Sequence, residues 1–307
     1  MSAPTSPARH RTRAAGVSIA SNSLLIALKL AAAAITGSVA ILSEALHSSI
    51  DLIASVIAFV SVRVSDEPAD AEHHYGHEKA ESLAAAIEGM LILVGAGVIV
   101  YEAVHRLSTH ADVTSLGVGI AVVAFSALVN VFVSRYLRRA AETYESPALA
   151  GDAAHLGADA LTSAGVLVGL VLVVITGANS LDSIVALVVA ATIVGAGLRI
   201  LGRSGRVLLD ESPPAEELDR IEAVIARERP PEVVGYHKLR ARTAGRRHYV
   251  DLHMQFRDGT TLERAHQLAH VLRDAIEREL PNVEILIHVE PEGSLRDPEV
   301  DEPFRAG

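Results

Sequence analysis

Glu44-Ala45-Leu46-His47-Ser48-Ser49-Ile50-Asp51 lies in one apolar run, and Asp152-Ala153-Ala154-His155-Leu156-Gly157-Ala158-Asp159 lies in another. An acid, a histidine and an aspartate recur between them at a constant offset of 108 residues, from 44 to 152, 47 to 155 and 51 to 159. His and Asp four apart share one face of a helix, with Cβ atoms about 5–6 Å from each other. Two such helices side by side offer two imidazoles and two carboxylates to one point. Zinc takes four N or O ligands tetrahedrally at about 2.0–2.2 Å. An acid at the centre of a membrane helix costs about 2.5–3.5 kcal/mol on insertion scales, which a bound cation would offset. The competing reading is a structural His–Asp couple within each helix, and the repetition weighs against it. Glu44 and Asp152 lie about a turn away; they either assist loading and release or merely cap and snorkel.

Outward from these two runs, the chain holds six stretches apolar enough to span a membrane, at 14–36, 38–64, 81–107, 113–137, 147–176 and 181–201. A hydrocarbon core of about 30 Å takes about 20 helical residues. Gly37, residues 176–177 and the polar run 108–112 separate the stretches. Small residues dominate them, as expected where membrane helices approach closely. Residues 1–13 are short, polar and basic, and the apolar stretch that follows is too long for a cleaved signal. They are expected to form a cytoplasmic tail. Arg63, Lys79, Arg135, Arg138, Arg139, Arg199, Arg203 and Arg206 flank alternate loops on the same side, while Arg106 alone faces the other. The positive-inside rule then predicts a multi-pass plasma (inner) membrane protein with both termini cytoplasmic. Lys29, inside the first span, is expected to snorkel to the outer interface.

Hydrophobic residues make up 50% of the chain, a share soluble proteins also reach, so their distribution decides. They crowd into residues 14–200, while 203–307 is rich in charge, so 14–206 is the expected transmembrane domain and 207–292 reads as a soluble cytoplasmic domain. Residues 293–307 are expected to be a flexible tail. After Pro213–Pro214, residues 215–229 read as an amphipathic helix, 236–243 and 248–256 as strands, 261–280 as a helix and 283–289 as a third strand. In the second strand Val250, Leu252, Met254 and Phe256 share one face, and Tyr249, Asp251 and His253 the other. That order is a compact α+β domain.

Cysteine is absent, so any metal ligands must be His, Asp or Glu, and 14 histidines supply them. The net charge of -10 argues against a nucleic-acid partner. An acidic surface that attracts cations and one that is merely solvated fit this charge equally. Asp70, His73 and His77 recur at spacings of three and four in a loop, where they could wrap one metal or simply be hydrated.

The paired motifs, the loop Pro68-Ala69-Asp70-Ala71-Glu72-His73-His74-Tyr75-Gly76-His77-Glu78-Lys79-Ala80-Glu81 and the terminal domain together resemble the cation diffusion facilitator family, of the bacterial zinc/iron efflux transporter type. The resemblance runs from about residue 13 to 292. It implies an α-helical membrane protein of six transmembrane helices followed by an αββαβ, ferredoxin-like, metallochaperone-like domain. It implies a homodimer in a lipid bilayer that exchanges divalent ions for protons, is no enzyme and carries no organic cofactor. Zn2+ is then both substrate and structural or regulatory ion. By resemblance His47, Asp51, His155 and Asp159 form the transport site, and Asp70, His73 and His77 a loop site with His74 as a spare. His237, His253, His266, His288 and Glu290 correspond to a two-metal site at the dimer interface, and His270 is read as surface. Lys79 and Asp210 match a charge pair that ties protomers together in relatives.

The chain departs from the pattern at His47, where the best-known zinc/iron branch has Asp, and at Glu290, where Asp is common. Imidazoles favour zinc, cobalt, nickel or iron over magnesium or calcium. Fe2+, Co2+, Cd2+ and Mn2+ stay open as substrates. Two other function classes compete. A metal-dependent hydrolase needs a general base beside an open metal position, and no His-Glu-x-x-His lies on an apolar span. A non-transporting metal receptor differs only in lacking flux.

Overall fold

The structure is a computed structural model that describes residues 7–36, 39–109, 118–178 and 180–294. The chain divides into two compact units, Met1–Gly205 and Arg206–Gly307. In the first lie six helices: α1 Pro7–Thr36, α2 Val39–Val64, α3 Lys79–Thr109, α4 Val118–Tyr144, α5 Pro147–Thr176 and α6 Ser180–Leu208, the last ending in the second unit. All six are long and apolar enough to cross a membrane. α1 begins at Pro7, so Arg9, Arg11 and Arg13 stand on a helix. Residues 113–117, expected to open the fourth span, and 295–307, nearly all of the expected flexible tail, lie outside the described residues.

α1 packs along α2, α4 along α5, and α3 against both α2 and α5. Alanines dominate the contact: Ala14, Ala15, Ala58, Ala84, Ala140, Ala141, Ala148 and Ala153 are all buried in one cluster. Small side chains let backbones approach where lipid supplies no hydrophobic drive. The outside is the reverse of a soluble protein, with Leu24, Val94, Phe132, Val171 and Val188 among the exposed apolar residues, as a lipid-facing surface requires.

One end of the helix bundle is pinned by a buried cation. Arg11, fully buried, donates to Glu81 and to Asp66. Glu81 also accepts from Ser65 Oγ at 2.8 Å and from Ser146 Oγ. Ser146 is the N-cap of α5, its Oγ accepting from Leu149 N at 3.3 Å, with Pro147 following. One network therefore ties α1, the end of α2, the start of α3 and the start of α5. Lys29 departs from expectation: it is 4% exposed, and its Nζ donates to Ser48 Oγ at 2.7 Å and Glu44 Oε2 at 3.2 Å. An ion pair with α2 replaces snorkelling.

The second unit holds α7 Ala215–Glu228, β1 Val233–Ala244, β2 Arg247–Phe256, α8 Leu262–Glu279, β3 Val283–Pro291 and a 3-10 turn at Glu292–Ser294. The sheet order is β1-β2-β3, with β1 antiparallel and β3 parallel to β2. Thr261 caps α8, its Oγ1 accepting from Arg264 N at 3.2 Å. Val250, Leu252, Met254 and Phe256 join Ile221, Ile225, Leu272 and Ile276 in the core, so α7 and α8 cover one face of the sheet. The other face carries His237, His253 and His288.

Candidate metal centres

α2 and α5 pack against each other in the first unit. His155 Nε2 lies 3.2 Å from Asp51 Oδ1 and 4.0 Å from Asp159 Oδ2, and His47 Nε2 lies 3.9 Å from Asp159 Oδ1. One ligand atom each of His47, Asp51 and Asp159 fits within 4.8 Å of the others. The four side chains of the repeated motif thus converge, one His and one Asp from each helix. Asp51 and His155 are buried, while 56% of the His47 side chain is exposed, so the cluster is sealed on one side and accessible at His47. His155 Nδ1 and Asp159 Oδ2 are buried without a hydrogen-bond partner among the described residues. Lone pairs left unpaired in this way are costly unless something fills them.

A hydroxyl and amide chain holds the cluster from behind. Asn22 Nδ2 donates to Ser55 Oγ at 2.8 Å and to the Asp51 carbonyl at 3.5 Å. Ser18 Oγ and Ser55 Oγ are 2.8 Å apart, and Ser55 Oγ donates to Asp152 Oδ1 at 3.1 Å. Sequence reading missed Ser18, Asn22 and Ser55. Their signal was polarity inside an apolar span, which hydroxyls carry only weakly.

In the loop before α3, Asp70 Oδ1 accepts the backbone N–H groups of Glu72 at 2.8 Å and His73 at 2.6 Å. These donors, His73 first, hold its carboxyl below the usual range. His73 Nδ1 lies 3.5 Å from Oδ1, and His77 Nε2 lies 3.4 Å from Oδ2. Gly76, at φ +82, turns the chain so that His77 comes back over Asp70. His74 is exposed and stands outside this group.

On the open face of the sheet, β-pairing aligns His237 with His253 and His253 with His288. The ring centroids lie 5.3 Å and 4.7 Å apart. Glu290 reaches back along β3 to meet all three, His253 Nδ1 at 2.6 Å, His237 Nε2 at 3.3 Å and His288 Nε2 at 3.6 Å. The longer side chain at 290 does span the row. His266 is not brought to it within the chain; it stands on α8, its Nε2 3.1 Å from that of His270. His270, read as surface, is half-buried and meets His266 through this contact. Asp210 meets Arg242 Nη1 at 3.4 Å.

Comparison with known proteins bears on the whole chain. Residues 15–209 match the cation efflux transmembrane domain, and 213–292 match the cation efflux protein cytoplasmic domain. The chain belongs to the cation diffusion facilitator family. An uncharacterized transporter of Synechocystis, sll1263, is 35% identical over 273 residues, 88% of this chain and 86% of that one. The cation-efflux pump FieF of Citrobacter koseri is 32% identical over 280 residues, 91% of this chain and 92% of that one. The metal-bound C-terminal domain of the CzcD transporter from Thermotoga maritima is 26% identical, covering 27% of this chain and 94% of its own, with a TM-score of 0.25. As a cation diffusion facilitator, the chain is a multi-pass membrane transporter of divalent cations, and its six apolar helices are the transmembrane domain.

Proposed function

We propose that this transporter exports Zn2+ from the cytoplasm across the inner membrane in exchange for protons, through His47, Asp51, His155 and Asp159. The observation that carries the reading is the convergence of one imidazole and one carboxylate from each of two packed helices. Such an N2O2 set suits a borderline cation taking four ligands, and it disfavours magnesium and calcium, which want oxygen. Ligands must be deprotonated to bind, so protons and metal compete for the same lone pairs. An imidazole in water takes its proton near pH ~6.5, which lets an acidic exterior discharge the metal. Both termini face the cytoplasm in this reading.

The loop set Asp70, His73 and His77 and the cytoplasmic set His237, His253, His288 and Glu290 hold the same ion as structural or regulatory sites. The protein acts as a homodimer, and His266, absent from the cluster of its own chain, joins it across the dimer interface. The relatives named as cation-efflux pumps support export. Zinc flux into sealed proteoliposomes under a pH gradient tests the reading. His47→Ala and Asp159→Ala should reduce flux to that of empty vesicles. Flux at the parent rate in either variant overturns the site assignment, and a parent preference for Fe2+ or Mn2+ overturns the choice of ion.

A further inference from the structure

Two acids deep in the transmembrane unit lie outside all three metal centres. Glu88 of α3 and Asp152 of α5 are both 0% exposed. Neither Glu88 Oε1 nor Oε2 has a hydrogen-bond partner among the described residues, and Asp152 Oδ2 has none either. The two acids are neighbours across the packed α3–α5 contact, for the Glu88 carboxyl abuts the residue that precedes Asp152. The Glu88 carboxyl lies directly over Gly151, where any added Cβ would strike it. The remaining groups around the pair are few. Ser18 from α1 and Ser55 from α2 hydrogen-bond Asp152, and His155 and Asp159 act on it from its own helix. Among the described residues no titratable group of α4 acts on either acid, and α6 approaches beside Glu88 at Gly89 with Gly197, Ile200 and Leu201. Arg11 of α1, which reaches the start of α3, is committed to Glu81 and Asp66.

Two carboxylates cannot both stay ionised when buried together without a cation. A metal is a poor answer here, because the packing over Gly151 leaves little room for one and the donors lack nitrogen. A proton needs no added volume. We propose that Glu88 and Asp152 hold one proton between them, and that this pair gives it up when a divalent cation occupies the site one turn further along α5. The arriving positive charge favours the doubly ionised pair. An O–H bond then breaks heterolytically, the carboxylate keeps the electron pair, and H+ leaves to water, taking the pair from one negative charge to two. Departure of the metal reverses the step. Glu88 thereby becomes a coupling residue that never touches the metal. The inference rests on the proposed transport site, but its test does not need transport.

The full chain in detergent is titrated with ZnCl2 in weak buffer, with bound zinc and released protons both counted. Glu88→Gln keeps the shape of a neutral acid but has no proton to lose. It should bind as many zinc ions as the parent while releasing one proton fewer per filled transmembrane site. Asp152→Asn should show the same deficit, and Glu88→Asp should restore the parent count. Equal proton release by the parent and a folded Glu88→Gln or Asp152→Asn protein overturns the proposal. Should Glu88→Gln fail to fold, the Asp152→Asn comparison decides alone. Absence of zinc flux in the parent proteoliposomes would instead sink the export reading and leave the proton count standing.

Discussion

Arg11→Ala strands a buried acid, and the size of the effect follows from what surrounds it. The Arg11 side chain is fully buried, Glu81 is 2% exposed, and Asp66 is 24% exposed. Removing one member of a buried ion pair costs about 3–5 kcal/mol, because the other charge stays behind without compensation. Glu81 supplies most of that cost; Asp66 reaches water and adds well under 1 kcal/mol. The hydroxyls of Ser65 and Ser146 remain on Glu81 and hold the loss to about 3 kcal/mol rather than 5. For a unit of this size each kcal/mol moves the melting point by about 2–4 °C, so a drop on the order of 10 °C is expected. The measurement is the temperature at which half of the detergent-solubilised protein loses its monodisperse elution peak. Adding Glu81→Gln to Arg11→Ala removes the stranded charge and should recover about half of the drop. A shift of under ~2 °C in the single variant, or no recovery in the double, refutes the network as a structural latch.

Lys238 occupies the left-handed region at φ +51, within an irregular stretch of the β1–β2 ladder between His237 and Arg240. Lys238→Val should cost about 1–2 kcal/mol in thermal stability, whereas deleting Lys238 should keep His237 on the histidine face and leave zinc affinity at the cytoplasmic cluster unchanged; lost affinity in the deletion contradicts the assigned register. Asp70, held low by backbone N–H donors, gives its turn full stability above the ordinary carboxylate value of ~3.9, and loses it only as pH falls through the lower folded value. Its carboxyl should therefore remain ionised through pH ~5, and a 13C titration with a midpoint above ~3.9 would contradict this.

Much of the architecture was legible in the residues themselves. Span length, the offset between the two His–Asp motifs and the alternation in β2 are local patterns with fixed physical periods, and the observed helices and strands follow them closely. The convergence of His47, Asp51, His155 and Asp159 followed from periodicity and the cost of buried charge, without knowledge of which helices touch. What escaped depends on neighbours distant in sequence. Lys29 was expected to reach water, since a lone ammonium in a span has no better option; Glu44, fifteen positions on, supplied one. Glu88 was passed over because its significance lies in its closeness to the α5 segment that carries Asp152 and in carboxyl oxygens without a hydrogen-bond partner among the described residues, neither of which a linear pattern carries. Strict alternation in β1 sets His237 on the same side as Leu239 and Ala241, which pack against the core; only the irregular register at Lys238 turns the imidazole towards His253. His266 separated from its expected companions for a related reason: a helix face is fixed by sequence, but what it meets is fixed by packing.

The chain alone therefore determined the element order, the membrane character and the donor types available to each candidate metal cluster, because those depend on spacing and polarity along one dimension. Tertiary structure decided which carboxyl groups are buried, which cations they have claimed and which strands lie parallel. Those are matters of distance between segments far apart in sequence, and burial makes their energies large enough to govern function.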